Sequence, residues 1–544
     1  DTAGFPKDTY YVFQAAWTDP EQAPMVHLFP YWDFSPGQII DVRVCSNASR
    51  VALFLDDECL GEAELKGRWI ADFRVPYRPG TLRAFAYDPD RRIVAQASRK
   101  SFGEAARLRL DTARYSELDF VAISAEDEDG NPVENANGRV HVSVEDGCLL
   151  GLDNGDSTDW EPYAADSRRM FGGKLLAIVR RQEGKEPRIS ARLSRTDIPI
   201  RKIELASIGD SISAKVFPSH ATHADLTWRL TNAAGIDSPL GSLQIAPDGR
   251  SVSVTARCDG EAYARCMASN GRNHPTLIST HRLEFTGKGR MFLDPYGFVS
   301  GGLYDASNVE LTNGNERGVA TLRAGESHVG FRNLDFGAFG SDAIALSLFP
   351  LGHEPFDFEI WEGMPLEGGE KVYTARYDKG SVWNTYQEVS YTLPRRLRGV
   401  TTLCLVFRQK VHIKGFRFDK LQKAFERLEA AENDGLYGDA FTIVDGAAEG
   451  IGNNVTLTYQ DMDFGSVGAS RVALCWRSAK AQNPVHHLFS GEGEEVRDIV
   501  NAGRSETYAS AEFALSRTIR GRRTVSLLFL PGSSLDLAWI QFLP

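Results

Sequence analysis

No run of apolar residues in this chain of 544 is long enough to cross a membrane, and its first residues carry neither a basic nor an apolar leader segment. Basic charge is not in excess either. With 61 Lys and Arg against 73 Asp and Glu, the formal charge of −12 argues against nucleic acid, which needs a basic face. There are only seven cysteines, an odd number whose spacings fit neither a zinc site nor a disulfide framework. Most lie in apolar runs such as Leu403-Cys404-Leu405, as free buried thiols of a reducing compartment do, which favours the cytoplasm. A Cys258–Cys266 pair is the alternative. Asp1 reads as the interior of a longer polypeptide.

What is abundant is the material of strands and turns. Aromatic residues make up 10% of the chain, with 50 Gly and 24 Pro. Apolar residues alternate with polar ones at Val51, Leu53 and Leu55, at Val140, Val142 and Val144, at Leu226, Trp228 and Leu230, and at Val252, Val254 and Ala256. Turn signals such as Asp129-Gly130-Asn131-Pro132 separate them. Closely spaced strands without helical crossovers predict an all-β chain of antiparallel sandwiches. Five domains are expected, at 1–103, 104–198, 199–287, 288–418 and 435–544. Trp228 is the expected core anchor of the third.

The last two domains read as an internal repeat. Leu334-Asp335-Phe336-Gly337 matches Met462-Asp463-Phe464-Gly465, and Arg396-Leu397-Arg398-Gly399 matches Thr518-Ile519-Arg520-Gly521. Between the copies, Leu421, Phe425 and Leu428 fall on one helical face, with Asp419 as N-cap, and predict a linker helix over 419–434.

Three segments carry a family resemblance. Ala3-Gly4-Phe5-Pro6-Lys7-Asp8, with Tyr10, Tyr11, Trp17 and Met25 to Trp32, resembles the exit from the catalytic barrel of a family 2 glycoside hydrolase. Val51 to Leu55 with Gly61, Trp69 and Val75-Pro76-Tyr77 is similar to the domain that follows. Gly151-Leu152-Asp153-Asn154-Gly155-Asp156, with Glu161, Tyr163, Arg168, Arg169, Phe171 and the strand Leu175 to Val179, resembles the last β-domain of the β-galactosidases and β-glucuronidases of that family. Residues 203–256 are similar to a bacterial Ig-like domain. The two C-terminal copies resemble carbohydrate-binding modules of family 6. The resemblance implies three tandem Ig-like β-sandwiches followed by two β-jelly rolls. It implies a β-galactosidase parent that forms homo-oligomers, with its barrel as the partner of these domains. A β-glucuronidase parent, and a surface adhesin or scaffold with purely structural jelly rolls, stay open.

Candidate sites follow from that frame. Retaining glycoside hydrolysis needs two carboxylates about 5 Å apart on a barrel. The one Asn-Glu pair, Asn315-Glu316, lies in a polar turn, so no catalytic residue, and no cofactor, is expected in this chain. Asp153, Asn154, Asp156 and Glu161 cluster oxygen atoms as a calcium site would, but turn capping explains them, and no metal is expected. Arg168 and Arg169 are placed to pair with these acids. For glycan binding, the resemblance puts Trp383 on a sugar-stacking position with Tyr386 close by, His328 on the second aromatic position and His412 on the position of an Asn. An ordinary edge or core aromatic is the competing reading of Trp383. In the second copy Thr456 and Ser505 replace both platforms and Tyr508 remains, which favours a structural role there. His486 and His487 are adjacent on a strand, so they point to opposite faces and do not form a metal pair.

Overall fold

The computed structural model describes residues 1–544 except 314–317, 439–440, 453 and 493. The Asn315-Glu316 turn therefore lies outside the described residues. The chain divides into two compact units, residues 1–233 with 237–289, and residues 234–236 with 290–544. Among the described residues there are ten sheets, all antiparallel, and one α-helix.

The first unit holds three successive sandwiches, each a sheet of three strands facing one of four. In the first, Ile40, Val42 and Val44 of strand Ile39–Ser46 meet Val51, Leu53 and Leu55 of strand Arg50–Leu55, all buried. The two-residue period aims every second side chain inward, so the alternation in the sequence becomes the core. The second closes on Val121, Ile123, Val140, Val142, Leu175 and Ala177, and the third on Ile203, Ile212, Trp228, Val252 and Ala264. Trp228 is buried, with its Nε1 donating to Gly249 O at 3.0 Å.

A buried ionic hub joins the three. Asp33 is 3% exposed and pairs with Arg201 and, at 2.9 Å, with Lys202 Nζ. Arg201 also donates to Glu104 Oε1 at 2.7 Å, Tyr77 OH to Asp33 at 3.3 Å, and Leu205 N to Ser35 Oγ at 2.8 Å.

The helix spans Asp8–Trp17, within the segment whose aromatics point to a barrel exit. Ala15 is its buried residue, and Tyr11 stacks on His27 at 3.7 Å.

The second unit holds two larger sandwiches, with sheets of six and four strands, then six and five. Both repeat the same clasp. Asp335 Oδ1 accepts Gly337 N at 3.0 Å, Phe336 N donates to Gly399 O at 2.9 Å, and Gly399 N donates to Gly337 O at 2.7 Å. In the second copy Asp463 Oδ1 accepts Gly465 N at 2.9 Å, Phe464 N reaches Gly521 O at 3.0 Å, and Gly521 N reaches Gly465 O at 3.0 Å. A bulge precedes each clasp, with Asn333 at φ 59° and Asp461 at φ 53°.

The linker helix expected over 419–434 does not form. The segment runs irregularly to a two-residue strand, Leu428–Glu429, and one 3₁₀ turn, Ala430–Glu432. Tertiary pairings outcompete local helix propensity. Leu428 pairs with Ile540, Lys423 pairs with Asp434, and Arg396 and Arg398 both reach Glu432 at 3.2 and 2.6 Å. Leu421 and Phe425 still pack on the second core, but from an irregular chain rather than a helical face.

All seven cysteines are free, so the Cys258–Cys266 pair does not form. Cys45, Cys266, Cys404 and Cys475 are buried, and Cys59 and Cys148 are exposed.

Candidate functional site

The loop after strand Gly147–Asp153 is built from side chains that cap their own backbone. Asp153 Oδ1 accepts Gly155 N at 2.8 Å, Asn154 Oδ1 accepts Asp156 N at 3.0 Å, Asp156 Oδ1 accepts Thr158 N at 3.0 Å, and Asp159 Oδ1 accepts Glu161 N at 2.9 Å. Arginines pair with three of these four carboxylates, Asp156, Asp159 and Glu161. Arg168 is fully buried, donating to Asp159 at 3.2 Å and Leu152 O at 3.0 Å, with its guanidinium 4.4 Å from the Tyr163 ring centre. Arg139 grips Glu161 at 2.7 and 3.0 Å. Arg272 reaches Asp156 at 3.1 Å.

A second cluster centres on Asp197, which accepts from Arg139 at 2.8 Å and from Arg169 at 2.6 and 3.0 Å and lies 3.0 Å from His223 Nε2. Burial works to raise the Asp197 pKa, but the hydrogen bonds from Arg169 and Arg139 outweigh it and hold the carboxyl well below the usual range. Arg168 thus pairs within the loop, whereas Arg169 ties the second sandwich to the third. Among the described residues, no three His, Cys, Asp or Glu converge as metal ligands. Acids engaged in this way orient a loop. They are not free to exchange protons with a substrate.

The loop also receives the N-terminal segment. Lys7 Nζ donates to Gly155 O at 3.0 Å and sits 5.0 Å from the Phe171 ring centre, while Lys174 Nζ lies 5.3 Å from that of Phe5. Thr2 Oγ1 donates to Asp153 at 3.4 Å. Gly155 has φ +72°, and a Cβ there would lie 2.3 Å from the Asp1 carboxylate.

In the second unit, three of the four residues singled out for glycan binding gather around one ring the sequence did not flag. Phe349, at the end of strand Ser341–Pro350, lies 6.0 Å from Trp383, 6.1 Å from Tyr386 and 5.3 Å from His412. Trp383 is 83% exposed and edge-on to Phe349 at 87°, so its indole face is open to solvent. Its turn is pinned by Ser381 Oγ to Pro350 O at 2.7 Å, Gln387 Nε2 to Gly380 O at 2.7 Å and Thr385 N to Val382 O at 3.1 Å. Phe349 and His412 are cross-strand partners, a pairing that only the register reveals.

His328 is not part of this group. It lies on the opposite sheet, in strand Ser327–Asp335, and is 2% exposed, with Nε2 2.8 Å from Glu326 Oε1. A stacking platform needs an open ring face, and this ring has none.

In the second copy, Tyr508 OH donates to Glu449 at 3.1 Å, and the Arg477 guanidinium lies 4.8 Å from the Tyr508 ring centre. Ser505 Oγ turns back to Thr507 O at 2.6 Å. His486 and His487 face opposite ways. His487 is 1% exposed and stacks on Phe489, and burial lowers its pKa to about 4.

Residues 106–197 match glycoside hydrolase family 2 C-terminal domain 5, and residues 37–95 match a domain of unknown function, DUF4982. The chain carries C-terminal domains of glycoside hydrolase family 2. The family 2 loop is therefore the arginine-clamped one. Among curated relatives, β-galactosidase BoGH2A of Bacteroides ovatus is 34% identical over 215 residues, 38% of this chain and 24% of that protein. A putative β-glucuronidase of Formosa agariphila is 31% identical over 194 residues, 33% of this chain and 18% of that protein. The chain spans about a quarter or less of the length of the curated relatives it matches. A β-glycosidase structure from Bacteroides vulgatus aligns at 28% identity and TM-score 0.33, covering 40% of this chain and 27% of that one. The structure of CsCBM6-3 from Clostridium stercorarium in complex with cellobiose aligns at 23% identity and TM-score 0.20, covering 23% of this chain and 96% of that one.

Proposed function

We propose that this chain is the accessory, non-catalytic C-terminal region of a retaining family 2 glycoside hydrolase, with a β-galactosidase as parent. In this reading the first unit is three Ig-like domains that buttress the catalytic barrel, and the second is two jelly rolls. The observation that carries it is the helix Asp8–Trp17. Tyr10, Phe13 and Trp17 recur at helical spacing and are 57%, 49% and 80% exposed. An aromatic stripe of that kind marks an interaction face. The barrel of the same polypeptide is its occupant, and the arginine-clamped loop holds residues 1–7 where they enter the helix. The β-galactosidase and the putative β-glucuronidase among the relatives support the parent's class.

The first jelly roll holds glycan on the open Trp383 face, with Tyr386 and His412 beside it, and so keeps substrate near the active site. The second, whose matching position is occupied by Tyr508, Arg477 and Glu449, is structural.

The chain alone is expected to leave nitrophenyl β-galactoside unhydrolysed, whereas the polypeptide continued upstream through its barrel hydrolyses it with retention. Turnover by the purified chain, or further β-sandwiches encoded upstream in place of a barrel, refutes the reading. For the glycan site, calorimetric titration with galactan and xylan oligosaccharides is expected to give binding that Trp383→Ala abolishes.

A further inference from the structure

At one end of the first sandwich, four segments surround a cleft of about 1020 Å³. They are the stretch 20–24 after the helix and the turns at 47–50, 65–69 and 88–91. The walls are fixed from within. Asn47 Nδ2 donates to Thr18 Oγ1 at 3.0 Å and Ala23 O at 2.9 Å, while its Oδ1 accepts Met25 N at 2.9 Å. Ser49 Oγ donates to Tyr87 O at 3.1 Å, and Leu65 N donates to Ser49 O at 3.0 Å. Lys66, Gly67 and Arg91 take left-handed backbone angles, with φ of 42°, 82° and 64°.

Four basic side chains, Arg50, Lys66, Arg68 and Arg91, and four acids, Glu21, Glu64, Asp88 and Asp90, line the cleft, and the bases divide into two groups. Arg50 is taken up by Glu62 and Glu64 at 3.3 and 2.7 Å, and Lys66 by Glu64 at 3.1 Å. Arg68 and Arg91 line the same cleft, and neither forms an ion pair within 4 Å of a described carboxylate, although the Glu64 carboxylate, held mainly by Lys66 and Arg50, also feels the Arg91 charge. Between them in kind stands Trp69, 46% exposed.

An indole face stacks on the C–H face of a pyranose. A guanidinium fork matches a carboxylate, and an arginine outside ion-pair distance of any carboxylate has that fork open to a ligand. The volume is at the upper end of small-molecule sites, which run to about 1000 Å³, and accommodates several sugar rings. We infer that this cleft binds an acidic oligosaccharide, with a uronate ring on Trp69 and its carboxylate on Arg68 and Arg91. The inference does not depend on the Trp383 site or on the barrel, since every residue it uses belongs to one sandwich.

Calorimetric titration of the whole chain with a hyaluronan tetrasaccharide and with cellotetraose tests it. The uronate sugar binds at least about tenfold more tightly, the worth of one charge-assisted hydrogen bond, and its affinity falls with added salt. A uronate-free sulfated keratan tetrasaccharide binds more weakly than hyaluronan. Trp69→Ala, and Arg68→Gln with Arg91→Gln, each remove the preference, while Trp383→Ala leaves it unchanged. All three cleft residues are surface side chains, so thermal unfolding of the variants matches that of the parent. Equal affinity for hyaluronan and cellotetraose, tighter binding of the sulfated sugar, no heat with any probe, or binding that survives both sets of substitutions overturns the inference.

Discussion

Replacing Arg168 with methionine keeps much of the side-chain length and removes only the guanidinium. In the native loop that group is fully buried, 3.2 Å from Asp159, itself 4% exposed, and 3.0 Å from Leu152 O. Arg168→Met leaves the Asp159 charge in the interior with Asn154 Nδ2, at 2.7 Å, as its remaining side-chain donor. Breaking a buried pair by removing one partner costs about 3–5 kcal/mol. The Asn154 contact and water entry at the loop place this case near the lower figure, about 3 kcal/mol. For a cooperative unit of this size each kcal/mol shifts Tm by roughly 2–4 °C, so the calorimetric transition of the first unit falls by about 6 °C or more. The second arm is a double-mutant cycle. Asp159→Asn alone leaves the arginine unpaired, whereas the double variant leaves neither charge, so the two losses are non-additive by about 2 kcal/mol. A loss below about 1 kcal/mol for Arg168→Met, or additivity in the cycle, refutes the view that this pair holds the loop.

Other outcomes follow from single side chains. His487 is buried, its two ring nitrogens have no hydrogen-bond partner, and its pKa is lowered to about 4. The unfolded chain binds this proton near pH 6.5 and the folded one only near 4. The contribution is therefore fully present above pH 6.5, and about 3 kcal/mol is lost as pH falls through that window. His487→Leu flattens this part of the stability–pH curve, and an unchanged slope in the variant counts against it. Gly173 has φ +73°, and a Cβ there would sit 2.3 Å from Val133 O. Gly173→Ala is expected to cost more than about 2 kcal/mol in denaturant unfolding, and a neutral result would mean the loop backbone can yield. Phe349→Ala removes the ring that backs Trp383, so it weakens any binding lost in Trp383→Ala without touching the ligand. Retained affinity in Phe349→Ala would mean the Trp383 turn is held by its hydrogen bonds alone.

The strands were legible because alternation and burial are the same fact in a two-sided sandwich. Val51, Leu53 and Leu55 all point inward. The one helix was not, because its outer face, with Tyr10, Phe13 and Trp17, is more aromatic than its inner one, where Tyr11 sits beside the buried Ala15. Tyr10 and Trp17 face solvent where polar residues would normally mark a surface. The reverse holds at 419–434, where Leu421, Phe425 and Leu428 imitate helical spacing while reaching the core from an irregular path. Spacing carries no information about the Ile540 pairing or the Arg396 and Arg398 contacts that decide the segment. At the aromatic site the sequence supplied Trp383, Tyr386 and His412 but not Phe349, whose role depends on strand register. The family resemblance also offered His328, which lies on the opposite sheet.

The hub around Asp33 also bears on how the chain can be cut. Arg201-Lys202 stands where the second sandwich passes into the third, and a dibasic junction there would be the natural target of a trypsin-like protease. Both side chains are buried, 6% and 13% exposed, and both are engaged by Asp33 from the first sandwich. Limited digestion should therefore spare this bond while exposed dibasic turns such as Arg91-Arg92 are cut. The junction that sequence places between the second and third domains would not read, to a protease, as a junction.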